Sequence, residues 1–315
     1  MATASSHDRG HRHDHDHHAH AGSRDADRRY LAIALGLLLA FMAIEVVFGI
    51  LASSLALISD AGHMLADAGA IGLALFAIRL SARPAGGPFT YGLKRAEILS
   101  AQANGITLLL LAAWFVFEAI GRLLHPPAVE GSLVTLIAIV GIGVNLAAVW
   151  VMSKANRQSL NIEGSFQHIL TDLYAFIATA IAGALIWWFG WNRLDAIAAL
   201  LVSALMFVAG YKLVRESGRV FMEAAPRGLE PQAICDAISV IPAISRIEDL
   251  HVWEVTSGMP ALSAHIFVSV DVDCHDKRRE IEAMLHDRFR LSHTTLQMDH
   301  GKADPQSQQV CRLDI

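Results

Sequence analysis

The stretch FMAIEVVFGILASSLALISDAGHMLAD, Phe41–Asp67, decides how this chain is read. It is apolar on both sides of a short Ala52-Ser53-Ser54 break, yet it carries Glu45, Asp60, His63 and Asp67. Crossing ~30 Å of hydrocarbon takes ~20 mainly apolar residues in a helix. Followed outward from the break, the two halves reach that length, at about Tyr30–Leu51 and Leu57–Leu80. Four more such runs follow, at about Glu97–Leu123, Gly131–Met152, Ile162–Phe189 and Leu194–Val214. Gly, Pro, Asn or Arg marks most of the gaps, as in Arg83-Pro84-Ala85-Gly86-Gly87-Pro88 and His125-Pro126-Pro127. The sequence predicts an α-helical membrane protein with six transmembrane helices.

Composition agrees. The 315 residues are 54% hydrophobic and 17% charged, well below the ~25% charge of a soluble domain, and the mean hydropathy is +0.41. The apolar runs end near residue 215, and from Pro226 the composition is that of an ordinary soluble domain. The expected organisation is a His-rich disordered tail over 1–29, a membrane domain over 30–215, a soluble domain over 226–300 and a flexible tail over 301–315. The net charge of -5 is mild and no basic patch suggests a nucleic acid. Cys235, Cys274 and Cys311 form no CxxC, and an odd count argues against a disulfide framework. The polar, His-rich N-terminus does not read as a signal peptide.

Loop charges orient the spans. Arg28 and Arg29 precede the first helix; Arg83, Lys94 and Arg95 lie between the second and third. Lys154 and Arg157 separate the fourth and fifth, and Lys212, Arg215 and Arg219 follow the sixth. The alternate loops hold little beyond Arg122 and Arg193. The positive-inside rule then places both termini in the cytoplasm, and a bacterial inner membrane is the simplest location.

Ionisable residues in such spans are costly, about 2.5–3.5 kcal/mol each at a helix centre, and a functional role is the default reading. Residues i and i+4 share a helix face. His63 and Asp67 therefore point together on the second helix, as do His168 and Asp172 on the fifth. Asp60 lies one turn before His63, and it and Glu45 are accessory or proton-linked candidates. Two imidazoles and two carboxylates match the four-coordinate nitrogen and oxygen sites that Zn²⁺ favours. Cd²⁺ and Co²⁺ also fit this donor set. One such pair alone would equally suit an internal hydrogen bond or a proton relay; two copies on separate helices favour a metal. Asn104 and Asn145 read as interhelical glue.

Several blocks carry a family resemblance. Beside Phe41–Asp67 stand FTYGLKRAEILSAQANG (Phe89–Gly105), NIEGSFQHILTDLYA (Asn161–Ala175), DLHVWEVTSG (Asp249–Gly258), LSAHIFV (Leu262–Val268) and HTTLQMD (His293–Asp299). In this order and spacing they resemble the zinc-transporting branch of the cation diffusion facilitator family. The resemblance implies a homodimer that exchanges cytoplasmic metal for protons, with His63, Asp67, His168 and Asp172 as its transport site. It also implies a cytoplasmic ferredoxin-like domain for dimerisation and regulatory metal, with His251, His265, His293 and Asp299 as candidate ligands. Family members with a second site place His and Asp between the second and third helices; Ser81–Lys94 holds neither.

Pattern alone gives the soluble segment an αββαβ order: Pro231–Val240, Arg246–Thr256, Ala261–Val272, Lys277–Arg290 and Thr294–Asp299. Period two sets His251 on the face of Trp253 and Val255. Cys274-His275, placed at the end of the second strand, could add to a second metal site, whereas His286 reads as part of a solvated face. Residues 7–20 contain seven histidines, among them His11, His13, His15, His17, His18 and His20, a compositional signal for metal capture.

These features predict a divalent metal/proton antiporter exporting Zn²⁺, with zinc as substrate and regulatory ligand and no organic cofactor. A membrane-anchored zinc sensor would explain the cytoplasmic histidines but not the acids in the second and fifth spans. An intramembrane metalloprotease would need a base, and His-Glu-x-x-His is absent. The chain is not expected to be an enzyme.

Overall fold

The computed structural model describes residues 18–153 and 160–301, apart from the side chains of 18–32, 160–171 and a few single positions. Six long helices come first: α1 (His18–Leu51), α2 (Leu55–Ser81), α3 (Ala96–Leu124), α4 (Gly131–Met152), α5 (Leu160–Phe189) and α6 (Arg193–Phe221). Then follow α7 (Pro231–Ser239), β1 (Ile244–Glu254), β2 (Pro260–Val268), α8 (Cys274–Phe289) and β3 (His293–His300). Among the described residues α2 to α6 each hold a stretch long and apolar enough to span a membrane, and α1 adds a shorter apolar stretch, Gly36–Leu51. α1 starts twelve residues before the expected Tyr30, because no proline interrupts the Ala- and Arg-containing segment ahead of it. Large apolar side chains such as Leu110, Trp114 and Phe117 stay exposed on α3, as expected of helices that face lipid.

Two compact units make up the chain. The first joins α1, α4 and α5 with the start of α2, the end of α3 and the start of α6. Its core is built around Phe41, Leu57, Val134, Ile137, Ala138 and Phe176, with Phe41 and Phe176 edge to face at 5.4 Å. Small residues let α4 and α5 close up. A Cβ on Gly183 would lie 2.8 Å from the Thr135 backbone nitrogen, and one on Gly131 2.5 Å from that of Trp187. Such close approach is how membrane helices gain van der Waals contact where no hydrophobic force drives them together.

The second unit holds the rest of α2, α3 and α6 together with the soluble domain. There α3 and α6 cross on Gly105 and Gly210, where an added Cβ on Gly210 would meet the Gly105 carbonyl at 2.8 Å. The soluble domain is a three-stranded sheet in the order β1-β2-β3. β1 and β2 are antiparallel, and β2 and β3 are parallel because α8 carries the chain back between them. Ile247, Leu262, Ile266, Ile281 and Leu285 centre its core. This is the αββαβ sandwich that the pattern predicts, with each boundary moved by three residues or fewer except the end of β2. Cys235 is buried in α7.

The β1–β2 ladder shifts register between Glu248 and His251, where Asp249 takes a positive φ of 51°. Such a bulge adds a residue to one strand and changes which face later residues take. Ile247 points into the core before it; Leu250 and Val252 do so after it. His251 and Trp253 are thereby left on the open face.

Candidate metal transport site

α2 begins directly after the Ser53-Ser54 turn, where Ser53 adopts φ 54°. Two turns on, it presents Asp60 and His63, and one turn later Asp67. Asp60 is buried; His63 and Asp67 are half-buried. α5 carries Asp172, also buried. The His63 Nε2 lies 3.9 Å from the Asp172 Oδ1, so the two helices bring an imidazole and a carboxylate face to face. Two donors on one tetrahedral zinc, each ~2.0–2.2 Å from the ion, stand ~3.4 Å apart. Closing the pair by about half an ångström would give that edge.

Glu45 on α1 is fully buried, within electrostatic reach of Asp60 first and Asp172 second. Three helices thus contribute carboxyl groups to one region, Glu45 near Asp60 and Asp172, and Asp172 beside His63, a concentration of acid that is costly inside a membrane. Sequence spacing alone left Glu45 without a partner, because the contact joins separate helices. The side chain of His168 lies outside the described residues; its backbone is one turn before Asp172 on α5. No group of three or more His, Cys, Asp or Glu forms a ready metal cage among the described residues.

The cytoplasmic candidates share the open face of the sheet but not one position on it. Asp299 accepts hydrogen bonds from Gln297 Nε2 at 3.0 Å and pairs with His265 Nε2 at 2.6 Å. The Gln297 bond first, then the His265 bond, holds the Asp299 carboxyl below its ordinary range. His265 also lies against the Phe267 ring, with centroids 4.3 Å apart. His293 meets the Tyr91 hydroxyl at 3.4 Å instead. His251 lines a cavity of about 720 Å³ with Tyr91, Arg95, Trp253 and Glu223, beside the Arg95–Glu223 ion pair at 3.1 Å.

Cys274 and His275 open α8 rather than close β2. Successive helical residues point ~100° apart, so Cys274 turns toward the core while His275 stays exposed. Asp273 caps the helix, accepting from the His275 and Asp276 N–H groups, which hold its carboxyl below the usual range. His286 is exposed, as expected. His11, His13, His15 and His17 lie outside the described residues, as do the side chains of His18 and His20 at the start of α1. Sequence reasoning passed over Asp195, a buried acid in the first turn of α6; the one available signal was a carboxylate at the mouth of a span.

Known proteins resemble this chain over most of its length. Residues 31–222 match the model of the cation efflux transmembrane domain, and 226–301 that of the cation efflux protein cytoplasmic domain. The cadmium, cobalt and zinc/H(+)-K(+) antiporter of Bacillus velezensis is 35% identical, over 91% of this chain and 93% of its own length. The metal cation efflux system protein CzcD of Cupriavidus metallidurans is 34% identical, over 87% of each chain. The zinc transporter ZitB of Escherichia coli is 34% identical, over 88% of each. A solved metal-bound C-terminal domain of the CzcD transporter is 28% identical over 22% of this chain and 99% of that one, with a TM-score of 0.22. Six long helices, a small α+β domain and matches to both family models lead to one conclusion: the chain belongs to the cation efflux family, the cation diffusion facilitators of the zinc and cadmium branch, and is an integral membrane metal-cation transporter rather than an enzyme.

Proposed function

We propose that the chain exports Zn²⁺ from the cytoplasm in exchange for protons. The observation that carries this reading is the His63–Asp172 pair, with Asp60 and Glu45 nearby, inside helices that span a membrane. His63, Asp67, His168 and Asp172 hold the ion; Asp67 and His168 join the set by helix spacing. The relatives support the cargo, being named for cadmium, cobalt and zinc antiport and for zinc transport.

Zinc binds neutral imidazole and ionised carboxylate, so metal and protons compete for the same groups. Metal enters from the cytoplasm, the helices rock, and protons from the far side displace it. The chain works as a homodimer in a bacterial inner membrane with both termini cytoplasmic. Residues 226–300 form the dimerising and metal-sensing domain, with His251, His265, His293 and Asp299 as its regulatory ligands and Cys274-His275 as a further candidate. Histidines of the N-terminal tail capture zinc near the entrance.

Reconstituted protein in sealed liposomes tests this. Zinc uptake should acidify the opposite compartment and rise with an opposing pH gradient. Zinc flux indifferent to that gradient would overturn antiport, and binding without flux would make the protein a sensor.

A further inference from the structure

The turn between α1 and α2 is gripped by a polar cluster that the transport reading does not use. A helix start leaves its first backbone N–H groups without intrahelical partners. At α2 those groups are satisfied by a side chain far away in sequence. Asp195 of α6 accepts from Leu55 N at 2.7 Å, from Ala56 N at 3.4 Å and from Ser54 Oγ at 2.5 Å. Ser54 Oγ in turn accepts from Leu57 N at 3.2 Å. Arg122 at the end of α3 donates to the Ser53 carbonyl at 2.6 Å, stands 3.8 Å from Asp195 and pairs with Glu118. Glu130, ahead of α4, donates its N–H to the Ala52 carbonyl at 3.1 Å. The ends of α3, α4 and α6 therefore all close on five residues, Ala52 to Ala56.

Asp195 and Ser54 are almost completely buried, at 1% and 0% exposure. In a low-dielectric setting a fully satisfied polar network fixes geometry strongly. His63 sits eight residues further along α2, ~12 Å away along the helix axis. The loops that meet here are those without the clustered positive charge, on the side away from the cytoplasm. The first turn of α2 lies between His63 and that side, held to α6 through Asp195 and, just before it, to α3 through Arg122.

We infer that Asp195 is a positioning residue that, with Ser54 and Arg122, latches the outer end of the metal-bearing helix shut. This rests on the alternating-access reading above, and its test does not depend on transport. A cysteine is placed at Ala56, which is 1% exposed, and labelled with a membrane-impermeant maleimide in right-side-out vesicles carrying the full chain. A second reporter at Ala138, 0% exposed on α4, monitors general loosening. Labelling at Ala56 should be slow in the parent and about tenfold faster with Asp195→Ala, the scale of losing one strong cap. Asp195→Asn keeps an acceptor for the Leu55 N–H and should fall between. The double variant Ser54→Ala/Arg122→Gln removes the same contacts from the other side and decides the matter if Asp195→Ala fails to fold. Rates within twofold of the parent in every folded variant would overturn the latch, as would equal labelling at Ala138. Flux absent from the parent would refute the transport reading and leave the labelling result standing.

Discussion

The close approach of α4 and α5 offers a measurable test of the packing. Replacing Gly183 by Ala adds one methyl group that would stand 2.8 Å from both the Thr135 nitrogen and its Oγ1, and 3.0 Å from Val134 Cγ1. Thr135 cannot simply turn aside, because its hydroxyl donates to the Gly131 carbonyl at 2.7 Å. The same substitution at Gly143, exposed on α4, meets nothing within 4 Å. Both variants share the intrinsic gain of Ala over Gly in a helix, about 0.8–1.0 kcal/mol. Only Gly183→Ala carries the overpacking penalty, about 1–3 kcal/mol. Gly143→Ala should therefore be up to about 1 kcal/mol more stable than the parent. Gly183→Ala should range from neutral to about 2 kcal/mol less stable, so the gap between the variants isolates the clash. Denaturant titration of each variant in the same detergent, followed by tryptophan fluorescence, gives the comparison. Equal stabilities would refute the claim that these glycines let α4 and α5 approach.

Three further outcomes are expected. Asp172→Asn or His63→Ala should weaken zinc binding by at least about 10–100-fold in calorimetric titration while leaving the melting temperature near that of the parent. An unchanged affinity removes that residue from the site. Asp273→Ala should lower the melting temperature of the cytoplasmic domain by uncapping α8. Because the folded carboxyl titrates below its ordinary range, the cap contributes above that range and is lost as pH falls through the lowered value. Parent and variant should therefore melt alike in acid, and a gap persisting at low pH would contradict the capping account. Removing residues 1–22 should raise the zinc concentration for half-maximal flux and leave the maximal rate intact; abolished flux would show the tail to be essential.

Much of this protein could be read along the chain. Membrane-length apolar runs, and the one-turn spacing of His63 and Asp67 along α2, follow from backbone geometry and the cost of burying charge, which act locally. The strand alternation that put His251 beside Trp253 was likewise legible. Pairings between distant segments were not. Only the packing of α1, α2 and α5 sets His63 against Asp172 and brings Glu45 up to Asp60. Only the sheet register divides the cytoplasmic histidines, His265 going to Asp299 and His293 to Tyr91. Asp195 is the clearest case: it reaches the N–H of Leu55 across 140 positions of sequence. Periodicity states which face of its own element a residue takes. Which partner meets that face depends on the close fit of side chains from other elements, and that exists only once the chain has folded.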